Sequence, residues 1–121
     1  MMINLAPPAI VIYTDDLPEG VGGQAVRCVV RIRPKYQHDE GILHHEMTHV
    51  WQWWLTLFLH SILYLKVRRY RLWAEAMAYR VQMRHPDANG TRLSVDDAVV
   101  KLMSPRYDLG LTVDEARQHL K

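Results

Sequence analysis

His45 and His49 flank Glu46 in the run Leu43-His44-His45-Glu46-Met47-Thr48-His49-Val50-Trp51. At about 3.6 residues per helical turn, positions i and i+4 share a face, so two imidazoles at this spacing reach one metal ion. Glu46 then projects beside the ion without ligating it, where a general base belongs if metal-activated water is the nucleophile. A chain with this His and Glu content produces roughly 0.016 such patterns by chance. The surroundings reduce the odds of accident further. No Gly or Pro interrupts the segment, apolar Ile42, Leu43, Met47 and Val50 back it, and five of the seven histidines fall between positions 38 and 60.

A catalytic zinc site takes three protein ligands and keeps one position for water. The candidates for the third are Glu75, His60 and His85. A metzincin extension requires Gly at 52 and His at 55, but Gln52 and Leu55 stand there, which removes that arrangement. With neither Gly nor Pro between Gly41 and Pro86, two long helical arms are expected, and a single reversal midway between 47 and 75 falls at Ser61. Glu75 then returns level with His45 and His49. Ala74, Ala76 and Ala78 around it are small enough for close helix approach. His60 falls near the turn and His85 lies beside Pro86.

With Glu75 in place, His45-Glu46-x-x-His49 followed by Glu75-Ala76-Met77-Ala78 resembles the gluzincin pattern of thermolysin-like peptidases. The short chain resembles most the minimal members termed minigluzincins, and the run Thr48-His49-Val50-Trp51-Gln52 is similar to small bacterial and phage domains of that type. The resemblance implies Zn2+ held by His45, His49 and Glu75, with Glu46 as the catalytic base of a peptidase acting on peptide or protein substrates. Some of those domains carry a second Glu where this chain has Met77. A competing likeness is to SprT-like proteases, which act on DNA-attached proteins and share the flavour of Glu46-Met47-Thr48-His49-Val50-Trp51. Their third ligand is a later His followed by Gly, whereas His60 comes early and precedes Ser61.

The elements expected to position these residues make an α+β, mainly α, single domain over 1–121. Residues 9–14 read as a β-branched strand, Asp15 to Gly23 as a loop, and 25–33 as a half-buried strand pairing antiparallel with the first. In the second strand Arg27, Val29, Arg31 and Arg33 take one face and Cys28, Val30 and Ile32 the other. Such a strand at a sheet edge could hold an extended substrate over the metal. Asp39 is the expected N-cap of a motif helix running to about Leu59, and a second long helix spans about Ile62 to Arg84. Capping patterns at Ser94 and Thr112 open two short C-terminal helices.

A chain of 121 residues supports one modest core, so any cleft is shallow or shared. Net charge of +2 demands no nucleic-acid partner. Lys66, Arg68, Arg69 and Arg71 with Tyr64, Tyr70 and Trp73 nevertheless form a basic and aromatic cluster that could meet phosphate. The apolar stretch 50–65 is shorter than the roughly 20 residues of a membrane span, which favours burial in the core over insertion. It also offers a membrane surface or an oligomer contact. Met1 to Thr14 lacks a basic start and contains Pro7-Pro8, so no secretory signal is read there. With a lone Cys28 and no internal disulfide, a cytoplasmic location is the expectation. From a different functional class, a non-catalytic module in which zinc braces two helices accounts for the ligands but not for Glu46.

Overall fold

The computed structural model describes residues 8–56 and 59–121. Three short strands precede five α-helices: β1 (Ile10–Tyr13), β2 (Gly23–Val26), β3 (Val29–Ile32), α1 (Glu40–Leu55), α2 (His60–Lys66), α3 (Arg68–Gln82), α4 (Val95–Leu102) and α5 (Val113–His119). The α+β, mainly helical class expected from the sequence is what forms. Residues 1–7, on which part of the secretory-signal reading rests, lie outside the described residues.

The N-terminal sheet departs from the expected two-stranded hairpin. Its order is β1-β3-β2, with β3 central, parallel to β1 and antiparallel to β2. What read as one strand over 25–33 is folded back on itself at Arg27-Cys28, where Arg27 adopts a positive φ of 56°. That conformation suits the first position of a tight hairpin turn, a place Gly usually holds, so no turn residue announced it. The alternation survives beyond the turn: Val30 and Ile32 are buried against α1, while Val29 and Arg31 are less covered. Arg33 does not stand free on an edge. Its guanidinium donates to the carbonyls of Val21 (2.7 Å), Pro18 (2.8 Å), Leu17 and Asp15 (3.1 Å each), so one side chain pins the 15–21 loop.

Asp39 caps α1 as expected, its carboxylate accepting from the Ile42 N–H at 2.9 Å. The helix stops at Leu55, short of Leu59; residues 57 and 58 lie outside the described residues. The expected turn at Ser61 is displaced, since Ser61 sits in the first turn of α2. Nor is the second arm one helix. Val67 is extended (φ −115°, ψ 104°) and separates α2 from α3.

Helices α1 and α3 run antiparallel and in contact: Gly41 N–H donates to Pro86 O at one end, and Gln52 reaches Ala74 O towards the other. Gly41 permits the crossing at the first end, because a Cβ there would lie 3.2 Å from Gln82 Cγ and 3.3 Å from His85 O. Ala74 and Ala78 are wholly buried, as close packing of this pair requires. One apolar cluster (Val30, Ile32, Val50) fills the space between sheet and α1. A second lies between α3, α4 and α5, around Ala76, Leu102, Leu109 and Ala116. Ser94 caps α4, and Thr112 with Glu115 forms the reciprocal capping box of α5. The α1–α3 seam between the two clusters holds the polar residues singled out by the sequence.

Candidate metal centre

Among the described residues, His45, His49 and Glu75 form a buried group whose ligand atoms all lie within 4.8 Å of one another. The i, i+4 spacing aims both imidazoles from α1 at α3. Each Nε2 stands 3.3 Å from the same carboxylate oxygen, Glu75 Oε1. That separation has a simple meaning: donors about 2.05 Å from a tetrahedral ion are spaced by about 1.6 bond lengths, or about 3.3 Å. Glu75 Oε1 is also a buried oxygen with no hydrogen-bond donor. An orphaned buried carboxylate oxygen is costly unless a cation satisfies it. The donor set of two imidazoles and one carboxylate therefore fits a divalent metal ion.

Side chains behind the ligands fix their orientation. Gln52 is fully buried and donates through Nε2 to the Ala74 carbonyl at 3.1 Å, which turns its Oε1 towards His49 Nδ1 at 2.9 Å. A carbonyl only accepts, so the amide orientation is set, and His49 in its neutral form carries its proton on Nδ1 and turns the Nε2 lone pair towards the site. Tyr64 donates its hydroxyl to Glu75 Oε2, which leaves Oε1 as the oxygen free to take a metal ion. Burial, followed by the Glu75 charge, pushes the Tyr64 phenol far above its ordinary pKa and keeps it a donor.

This last contact explains the break at Val67. In one continuous helix residues 64 and 75 would lie about 16 Å apart along the axis. Folding α2 aside brings Tyr64 onto Glu75, and Arg71 holds the bend by donating to Tyr64 O at 2.8 Å and Tyr107 O at 2.6 Å. In the sequence Tyr64 and Arg71 read as part of a basic and aromatic cluster, and Gln52 excludes a metzincin and belongs to the run that resembles the small bacterial and phage domains, with no role beside the ligands. The polar Gln52 in an apolar helix was the one available signal.

The other candidates fall outside the ligand group. His60 is buried and bonded to the Tyr70 hydroxyl through Nδ1 at 2.6 Å. Burial and then the neighbouring His49 lower its pKa to about 4, against a smaller opposing effect of Glu75, so it is neutral near pH 7. His85 stacks on His44 with ring centres 3.6 Å apart. Tyr79, one turn beyond Glu75, sets its ring edge against His45 (4.4 Å) and shares a 2.6 Å hydrogen bond with the Tyr107 hydroxyl.

Glu46 lies beside the group in a cleft of about 530 Å³. One wall is β2 with the Gly20–Gly22 loop; α2 and the Arg106-Tyr107 turn form the other. Gly23 lets the strand approach, since a Cβ there would stand 3.0 Å from Ile42 Cγ2 and 3.4 Å from Glu46 Cγ. Arg33 N–H bonds Gly22 O at 2.9 Å, so by antiparallel alternation the N–H and C=O of Gly23 and Ala25 point out from the sheet edge.

Electrostatics bind the metal-free site to protons. For His49, burial opposes the charged form, but the Glu75 carboxylate beside it, aided by Glu46 and Gln52, raises its pKa to about 9. Burial opposes the charged form of Glu75 too, and the two imidazoles hold its carboxyl well below the usual range. The His49 contribution to metal-free stability is therefore complete below about pH 6.5 and lost as pH rises through about 9. That of Glu75 is present above its ordinary pKa and lost on acidification. Metal must displace the His49 proton, so binding at pH 7 is expected to release about one proton per ion, falling towards none above pH 9. Calorimetry in buffers of differing ionisation enthalpy measures it; no proton release at pH 7 would refute a charged metal-free His49.

No protein-family model matches the chain, and no curated protein or solved structure matches it. The likeness to gluzincins thus stands on the site's own residues.

Proposed function

We propose that this chain is a zinc-dependent peptidase of gluzincin type and minimal size. The observation carrying this reading is the convergence of His45, His49 and Glu75, with Glu46 in the same cleft and outside the ligand group. Zinc held there supplies a Lewis acid that polarises a carbonyl and makes water a nucleophile near neutral pH. Glu46 takes the proton of the attacking water and passes it to the leaving amine. Tyr64 and Gln52 keep Glu75 and His49 in their ligating orientations. Gly23 and Ala25 offer outward backbone groups for pairing with an extended peptide, which fixes the scissile bond with little dependence on side chains.

A purely structural site has no use for a carboxylate beside an open coordination position, so Glu46 in the cleft favours catalysis over a zinc-braced module. Incubating the zinc-loaded chain with a mixed peptide library is expected to generate new N-termini, to stop doing so on chelation, and to resume when zinc is restored. Cleavage that survives chelation, or none under any condition, would count against the proposal.

A further inference from the structure

The helix α2 is covered on one side only. His60 is buried, yet Leu59, Ile62 and Leu65, spaced i, i+3 and i+6, are 52%, 60% and 75% exposed. Three large aliphatic side chains exposed in a row along one surface ridge make an apolar patch of the kind that marks an interaction surface. The same polarity recurs on the last turns of α1, where Trp51 and Leu55 are 41% and 69% exposed. Lys66 and Arg69 follow the ridge directly, both exposed, and neither has a carboxylate within ion-pair distance among the described residues. Between Glu46 and Glu75 the sequence contains no acidic residue at all. Trp73, one turn beyond Arg69 on α3, is 41% exposed.

We infer that α2 and the start of α3 dock on an anionic lipid surface, with Leu59, Ile62 and Leu65 entering the apolar boundary and Lys66 and Arg69 at the headgroups. An aliphatic ridge edged by unpaired cations and indole rings is the composition of an interfacial helix. Charge decides among the occupants. In a two-fold contact with a second copy, Lys66 and Arg69 would face their own equivalents, and the nearest acid, Glu115 on the α5 side of Arg69, is not in ion-pair contact with either. A nucleic acid has no use for exposed Leu and Ile. Moreover, Arg71, Tyr64 and Tyr70 of the basic and aromatic cluster are turned to internal partners. No described helix is long and apolar enough to cross a membrane, which suits docking rather than spanning. Leu65 also borders the cleft, so docking brings the cleft's rim to the lipid surface.

The test is sedimentation of the zinc-loaded full chain with vesicles of phosphatidylcholine, with and without phosphatidylglycerol. Binding is expected only to the anionic vesicles and to weaken with salt. Replacing both Lys66 and Arg69 by Ala should lower partitioning by roughly thirty-fold. The pair Leu59→Ser and Ile62→Gln, outside the cleft lining and at exposed positions, should lower it at least about tenfold. Unchanged metal content and melting temperature in both variants separate lost docking from lost folding. Equal binding to neutral vesicles, or none to either, overturns the inference. So does a dimer that Leu59→Ser with Ile62→Gln dissociates while vesicles are ignored. Oligonucleotide binding that depends on Arg69 but not on Ile62 overturns it equally.

Discussion

Replacing Glu46 by Gln is expected to reduce peptide hydrolysis by roughly 10²- to 10⁴-fold while leaving metal content unchanged. The substitution keeps the volume of a side chain that is 8% exposed and replaces only its ability to accept a proton. Glu46 sits outside the three-residue ligand group, so the amide takes nothing from the metal. The loss should appear in kcat rather than in KM, because in the proposed mechanism the carboxylate acts on the water and makes no contact that binds the peptide backbone. A Glu46→Gln protein that cleaves at the wild-type rate would remove the base from the mechanism. A wild-type protein that cleaves nothing, but unfolds far more easily under chelation, would favour the zinc-braced module instead.

The second large effect concerns the metal itself. Glu75→Ala removes the oxygen on which both imidazoles converge at 3.3 Å, and bound metal is expected to fall from one ion per chain to none by elemental analysis. Wild-type protein saturated at about a thousand times the Kd gains about 4 kcal/mol over the metal-free form, a melting shift on the order of 15 °C for a chain of this size. In Glu75→Ala that shift should vanish, so comparing each protein with and without chelator separates lost metal from any fold damage. Gln52→Leu and Tyr64→Phe leave the ligands in place but free their orientation, and each is expected to weaken metal binding by about 10- to 100-fold. Full metal occupancy in Glu75→Ala would send the search for a third ligand back to His60.

The three residues of the candidate metal group were legible for different reasons. His45 and His49 share a face by local helical geometry alone. Glu75 was reached by assuming one symmetric reversal at Ser61, and that route is not the one the chain takes: α1 ends at Leu55, α2 turns aside, and α3 restarts after Val67. The destination survived because Ala74 and Ala78 allow only a close α1–α3 seam, and within that seam Glu75 is the buried acid on α3. Tyr64 could not be found by the same reasoning, since a continuous second helix carries it far from Glu75.

The sheet failed on a similar point. Alternation in 28–33 identified the buried face correctly, but β3 takes the centre of the sheet because a hairpin forms at Arg27-Cys28 without Gly or Asn. The exposed edge of the sheet consequently passes to β2, whose first residue, Gly23, reads as loop in the sequence.

By itself the sequence determined what short-range physics controls: the His45-Glu46-x-x-His49 face, the helix starts at Asp39, Ser94 and Thr112, and the absence of acid between Glu46 and Glu75. The tertiary structure alone decided the breaks at Thr56 and Val67, the central place of β3, and the enlistment of Gln52, Tyr64 and Arg71 behind the site. Caps and helical faces depend on residues within one turn. The Tyr64–Glu75 and Gln52–Ala74 contacts depend on where two helices meet, and that is set by packing across the whole seam.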